Sequence, residues 1–186
     1  MAQETFQRLY VSELKDLYSA EQQLVKALPK LVKSADTQEL SEAFSNHLEE
    51  TKNHVTRLEE IFESLGENPK GKKCIGMEGI VKEGAETIDE FEGKVLDVGL
   101  VAAAQRVEHY EIAAYGSVCA YAKLLDRSDD LNLLKETLEE EKRADEKLTE
   151  LSETVNQQAA DESRQESVRS AKMADRERAR KTKSAA

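Results

Sequence analysis

Tryptophan is absent from the 186 residues, proline occurs twice, cysteine twice and glycine eight times, and aromatic residues make up only 5%. A β-sandwich or a doubly wound sheet needs more turn residues and more aromatic and β-branched filling than this. What remains is an all-helical protein of one domain's length, large enough to bury a core without staples. Cys74 and Cys119 are too few for a disulfide framework and suit a reducing cytosol. No apolar run approaches the ~20 residues of a membrane span, and the N-terminus lacks the shape of a signal peptide. A cytoplasmic protein with no membrane partner is expected.

Charge, by contrast, is abundant. Charged residues are 35% of the chain, with 27 bases against 38 acids and a net charge of −11. Residues 156–186 carry +3, which leaves −14 on residues 1–155. By charge the chain as a whole is not a nucleic-acid binder, and only its basic end offers such a contact. Between Asn156 and Ala186 the larger apolar residues are Val168 and Met173 alone, too few to anchor a folded layer. The division expected is a helical domain over 1–156 and a charged, basic-ended tail over 157–186, frayed helix or disordered.

Apolar residues recur at spacings of three and four, the mark of amphipathic helices. One stripe runs Tyr10, Leu14, Leu17, Glu21, Leu24, Leu28, Leu31 within a helix of about 5–34. Asp36, Thr37 and Glu39 supply acid and hydroxyl capping for a second helix, whose stripe is Phe44, His47 or Leu48, Thr51, His54 or Val55, Leu58, Ile61 or Phe62, and Leu65. Gly66 follows, where a C-cap is expected. Residues 67–93 break the rhythm with Pro69 and five glycines, and a short helix near 78–91 is expected inside them. A third helix of about 94–126 carries Val98, Val101, Gln105, Glu108, Ile112, Tyr115, Cys119 and Ala122. Ser128, Asp129 and Asp130 open a fourth, with Leu134, Leu138, Glu141, Asp145, Leu148, Leu151 and Val155. A connection as long as 67–93 suits the single crossover of a ferritin-like four-helix bundle.

Each stripe has a charged group near its middle, where a leucine would otherwise stand. These are Glu21 on the first helix, Glu50 and His54 on the second, Glu108 and Glu111 on the third, and Glu141 and Asp145 on the fourth. In a bundle they fall in one layer. Buried carboxylates repel one another and would sooner take up protons, so the layer needs neutralising partners. No stripe carries Lys or Arg at that depth. Two divalent metals would neutralise four carboxylates, and an oxygen-rich donor set without thiolate favours iron or manganese. His47 is read as a supporting group behind His54, and His109 as exposed. Tyr18, Tyr110 and Tyr115 lie within a turn of the acids as packing or hydrogen-bonding groups. Cys119 reads as a small core residue and Cys74 as a loop thiol without a partner. An internal match between the second and fourth helices favours Glu140 as the ligand, whereas the stripe favours Glu141, which is preferred here.

Four stretches carry a resemblance: ELKDLYSAEQQLVKALPKL around Glu21, HLEETKNHVTRLEEIFESLG around Glu50 and His54, EHYEIAAYG from Glu108, and LEEEKRADEKL from Leu138. Over about residues 5–155 the chain resembles the YciE/YciF-type family of bacterial ferritin-like, stress-associated proteins. The resemblance implies a ferritin-like bundle, a homodimer and a di-iron centre, without implying a defined reaction. Ferritin-like di-iron proteins usually carry Glu-x-x-His on the second and fourth helices. This chain instead has Glu50-x-x-x-His54 and Glu141-x-x-x-Asp145.

Two functions follow as expectations. One is a di-iron or mixed iron/manganese protein of stress response, an oxidoreductase of O₂ or peroxide with an external electron donor. The other is a metal-free helical interaction module acting through protein partners.

Overall fold

The computed structural model describes the backbone of residues 2–184 and the side chains of residues 4–173. It contains five helices, α1 (Ala2–Ser34), α2 (Gln38–Leu65), α3 (Ile75–Glu90), α4 (Gly93–Leu124) and α5 (Ser128–Ser184), and no strand among the described residues. The expected helix starts, and the expected ends of the helices before α5, agree with these to within a few residues. The 67–93 connection is more ordered than its glycines suggest, since α3 occupies most of its second half.

Packing sorts the helices into two intimate pairs, α1 with α2 and α4 with α5. The start of α1 (Tyr10, Leu14) meets the ends of α2 (Ile61, Phe62) and α4 (Val118) and the start of α5 (Leu134) in one apolar cluster. Each pair is therefore antiparallel, while α2 and α4 run the same way. The chain must travel the length of the assembly between them, and it does so through α3, which packs on α4 and α1. A second cluster lies at the opposite end, built on Leu40, Phe44, Leu96, Leu100, Leu148 and Leu151. A third, Ala20, Leu24, Leu28, Cys74 and Met77, fills the space beneath α3.

Several joints differ from the sequence expectation. Thr37 is the N-cap of α2 but its side chain makes no capping bond. The work falls to Asp97 at the start of α4, fully buried, whose two oxygens accept from Asp36 N (2.7 Å) and Thr37 N (2.9 Å). Asp97 thereby ties the α1–α2 turn to the other pair. Cys74 is no solitary loop thiol. It is buried at the N-cap of α3, accepts from Met77 N, and lies 2.9 Å from the Tyr110 hydroxyl. Gly66 behaves as expected, closing α2 at φ 66° with its N–H on Glu63 O, a backbone conformation that glycine adopts without strain. Asp130, expected only to charge the start of α5, is buried and accepts from the Tyr10 hydroxyl (3.0 Å) and from Arg127.

Helix α5 runs unbroken past residue 156, where the folded domain is expected to end. Val155 and Ala159 are the last buried residues along it, and residues 160–173 are exposed. The side chains of 174–184 and the final two residues lie outside the described part of the tail. Removing both acceptors at the α1–α2 turn with Asp97→Ala should cost about 1–3 kcal/mol, a fall of roughly 2–10 °C in Tm. Circular dichroism melts would read this, and an unchanged Tm would show that the turn does not depend on Asp97.

Candidate metal centre

The two apolar ends of the molecule are separated by a layer of titratable side chains. Helix α1 supplies Glu21 between Leu17 and Leu24, and α4 supplies Glu108 and Glu111, one turn apart on its inward face. Helix α5 supplies Glu141 between Leu134 and Leu148. Helix α2 supplies two histidines, His47 and His54. All six are buried, and Glu21, His54, Glu111 and Glu141 have no exposed surface at all. The histidines are seven residues apart, about 20° short of two full turns, so both project from the same face of α2. Their backbones are about 10.5 Å apart along the axis, yet the rings converge to 6.4 Å between centroids.

Two overlapping groups result. In one, His47, Glu108, Glu111 and Glu141 each present a ligand atom within 4.8 Å of the others; in the second, Glu21, His54 and Glu141 do the same. Glu141 belongs to both. His47 Nε2 lies 3.3 Å from Glu108 and 4.0 Å from Glu141, and His54 Nδ1 lies 3.4 Å from Glu21 and 3.1 Å from Glu141. These contacts are close but not aligned as hydrogen bonds. Both oxygens of Glu111 and of Glu141, one oxygen each of Glu21 and Glu108, both ring nitrogens of His47 and Nδ1 of His54 have no hydrogen-bond partner. Buried polar atoms are paired in the great majority of cases, and these unpaired ligand atoms form two groups that could hold a metal ion.

Supporting contacts orient several of these groups. The Tyr115 hydroxyl, fully buried, donates to Glu21 Oε1 at 2.5 Å. His54 Nε2–H donates to Glu140 Oε2 at 3.0 Å, and Glu140 is itself gripped by Arg57, which also reaches Thr137 and Glu136. That chain fixes which nitrogen of His54 faces the cluster: Nδ1. It also separates the two adjacent glutamates left in competition by the sequence, because Glu141 stands in the cluster and Glu140 behind His54.

The remaining expected residues are placed differently. Glu50 is half-exposed with a carboxylate oxygen 3.6 Å from His47 Nδ1, at the edge of the cluster. Asp145 sits at the opposite margin, one oxygen 3.3 Å from the exposed ring of His109 and the other buried without a partner. Neither joins the two groups. Tyr18 donates to Glu59 and Tyr110 to Asp16, so of the three tyrosines only Tyr115 touches the acids. His47 is the residue sequence reasoning undervalued. The signal was its seven-residue spacing from His54, with Thr51 between them on the same buried face.

Among the described residues, every ion pair of Glu21, Glu108 and Glu141 is with a histidine. The electrostatics follow. Burial works against a charged His54 ring, but Glu141 and Glu21 outweigh it and raise its pKa to about 11. His47 is raised to about 9 in the same way, with Glu108 the chief support against burial. Burial pushes Glu108 and Glu111 well above the ordinary carboxylate range, Glu111 with added repulsion from Glu21 and Glu141. Burial also raises Glu21, with His54 opposing. Glu141 alone goes down, because the two histidines outweigh its burial. Four carboxylates carry −4 when ionised, which two divalent cations would cancel, and six oxygen and nitrogen side chains without sulfur suit iron or manganese.

Proton linkage gives a test on chelator-treated protein. Groups raised in the fold bind protons more tightly there than in the unfolded chain, so their stabilisation weakens as pH rises. For Glu108, Glu111 and Glu21 the loss starts at the ordinary value of 4.5. For the histidines it runs from 6.5 through about 9 and about 11. Glu141 acts oppositely, its contribution present above 4.5 and lost as pH falls. The metal-free protein should therefore melt higher at pH 6 than at pH 9, and a Tm that climbs across this interval would contradict the raised values.

Comparison with known proteins covers most of the chain. Residues 5–161 match the family described as Domain of unknown function (DUF892). Protein YciF of Escherichia coli K12 is 44% identical over 162 residues, 86% of this chain and 98% of that protein. The crystal structure of the E. coli stress protein YciF has a TM-score of 0.79 at 44% identity, covering 82% of this chain and 97% of that one. The structure of YcfI from Rhodopseudomonas palustris has a TM-score of 0.75 at 43% identity, covering 77% and 92%. A protein of Xanthomonas campestris, at 17% identity and a TM-score of 0.71, shares the fold alone. All six residues of the buried cluster lie within the matched region, and the chain belongs to the DUF892 family of YciF-like proteins.

Proposed function

We propose that this is a ferritin-like dimetal-carboxylate protein, a four-helix bundle of α1, α2, α4 and α5 with α3 in the crossover, acting in bacterial stress response. The stress setting rests on the resemblance to E. coli YciF, which is described as a stress protein. The observation that carries the metal reading is the convergence of Glu21, Glu108, Glu111, Glu141, His47 and His54 with their inward atoms unpaired. His47, Glu108 and Glu111 would hold one metal and Glu21 and His54 the other, with Glu141 within reach of both. Iron is the metal proposed, with manganese as the substitute of the same preference.

Glu21, Glu108, Glu111, Glu141, His47 and His54 would hold the metals, and a redox-active pair bound by them would supply one-electron chemistry toward O₂ or peroxide, given an external electron donor. The chain's own part is positional. Arg57 holds Glu140, Glu140 holds His54 Nε2–H, and Nδ1 is left aimed inward. Tyr115 keeps one oxygen of Glu21 fixed and leaves the other free. On the side of Glu21 and His54, large apolar residues such as Leu17, Leu58 and Tyr115 pack closely, and the low dielectric there strengthens the electrostatic contacts. Glu50, half-exposed, stands beside His47 at the edge of the cluster.

A metal-free interaction module is the competing reading. It requires the cluster to persist on protons alone, and chelation would then leave the Tm unchanged. The dimetal reading requires a fall, because an ion that binds only the folded state stabilises it.

Anaerobic Fe(II) titration of chelator-stripped protein should saturate at about two ions per chain, and exposure to oxygen should then produce a ferric absorption band. Glu21→Gln should lower the metal content. Undiminished binding in that variant, or no saturable binding in folded protein, would sink the assignment. Glu140→Ala, which leaves the inward atoms intact, should weaken metal affinity by about 10–100-fold, with partial rescue by Glu140→Gln, since an amide oxygen still accepts from His54.

A further inference from the structure

The two apolar ends of the molecule are not packed alike. The end around Tyr10, Phe62 and Tyr115 is filled by large side chains. On the other side of the acid layer lies a cavity of about 620 Å³, which draws its walls from all five helices. Where core stripes elsewhere carry leucine or an aromatic, this chamber is faced by Ala27, Ala43, Gly84, Ala103, Ala104 and Ala144. Larger apolar residues such as Leu28, Phe44 and Leu148 complete it. A volume of this size is in the range that holds a drug-sized molecule.

Two polar side chains stand in its inner wall, His47 and Glu108, respectively 8% and 2% exposed. Both ring nitrogens of His47 and one oxygen of Glu108 have no hydrogen-bond partner. A hydroxyl is the group that can accept from an imidazole N–H and donate to a carboxylate oxygen at once. The mouth is acidic on balance: Glu39, Glu42 and Glu50 line it against Arg143 and Lys147. Anionic head groups are disfavoured there, the more so because residues 1–155 carry −14.

We infer that this cavity binds an uncharged aliphatic molecule bearing a hydroxyl, with its chain among the small-residue walls and its oxygen at the edge of the cluster formed by His47 and Glu108, hydrogen-bonded to them in the metal-free protein and beside them when a metal is held. The inference goes beyond the metal reading, and it assigns the cluster a lipophilic ligand on one side only. The side reached is that of His47 and Glu108, because Glu21 and His54 do not line the chamber. Small side chains here are selected for space, since a bundle interior is otherwise packed to crystal-like density.

The test uses full-length protein, both chelator-treated and manganese-loaded, with the uncharged dye Nile red as reporter and 1-tetradecanol as competitor. One dye per chain should bind and be displaced saturably by tetradecanol, with myristate of the same chain length weaker by about tenfold or more because of the acidic mouth. Ala104→Phe and Ala144→Leu, each checked for helicity, should each weaken tetradecanol binding by about tenfold or more, as a filled cavity no longer admits the chain. Two positions on different helices keep the test alive if one variant does not fold. Absence of saturable displacement, indifference to both filling variants, or myristate binding as tightly as the alcohol would overturn the inference. Tetradecanol binding that survives chelation while Fe(II) titration fails would leave the cavity ligand standing and remove the metal reading alone.

Discussion

Four carboxylates and two imidazoles occupy one buried layer, and among the described residues none of them pairs with a lysine or arginine. Everything else in the structure is arranged around that constraint. A buried carboxylate is strongly penalised unless it is neutralised, and four of them can share a layer with two imidazoles only with protons or cations among them. Apolar burial on both sides must offset the cost. Each contributing helix therefore extends well beyond the layer in both directions: Leu14 and Leu17 on one side of Glu21 with Leu24 and Leu28 on the other, Leu100 and Val101 against Tyr115 and Val118 on α4, and Leu134 against Leu148 and Leu151 on α5. At about 1.5–3 kcal/mol for each fully buried side chain, these rows outweigh a great deal of unfavourable electrostatics.

Much of this was legible in the sequence because the helices are long and their stripes regular. Glu21, Glu108, Glu111, Glu141 and His54 stand where the three- and four-residue spacing puts them. The second helix was harder. Its stripe admitted His47 or Leu48, and His54 or Val55, and the eye is drawn to Glu50-x-x-x-His54 as a ligand pair. On a 3.6-residue helix, Glu50 lies about 40° from His54 and about 60° from His47, which turns it toward solvent, whereas the two histidines are only about 20° apart. Asp145 fails as a cluster member by the same rotation, about 40° from Glu141, and ends at the margin beside His109. Contacts made by residues distant in sequence left no pattern to read. The pairing of Cys74 with Tyr110 and the capping of α2 by Asp97 depend on how α3 and α4 lie across the other helices, which no local spacing encodes.

Neighbouring residues on α5 show how far one helical step changes a role. Glu140 and Glu141 are chemically identical and about 100° apart around the axis. Glu141 points between the helix pairs, where both histidines outweigh its burial and keep it ionised. Glu140 points along the seam with α2, where Arg57 holds it ionised and it fixes the outer nitrogen of His54. Sequence similarity between α2 and α5 aligns Glu140 with Glu50, and the parallel is apt in a way the alignment does not state. Each of these two glutamates stands behind a histidine, Glu140 at His54 Nε2 and Glu50 at His47 Nδ1, so the rings face the cluster through opposite nitrogens.

That reversal makes the two halves of the cluster unequal. His54 is locked by a salt-bridged carboxylate inside the protein, whereas His47 leans on a half-exposed one at the surface. The apolar ends differ in the same sense. Beyond His54, the Tyr10 hydroxyl, Arg127 and Ser64 all converge on the buried carboxylate of Asp130, closing the end where α1, α2 and α5 meet. Beyond His47, alanines and a glycine replace large side chains and a chamber opens instead. One half of the cluster is thus enclosed and the other opens on the chamber, with Glu141 common to both groups. Symmetry between the helix pairs builds the layer, and the departures from that symmetry give it a direction.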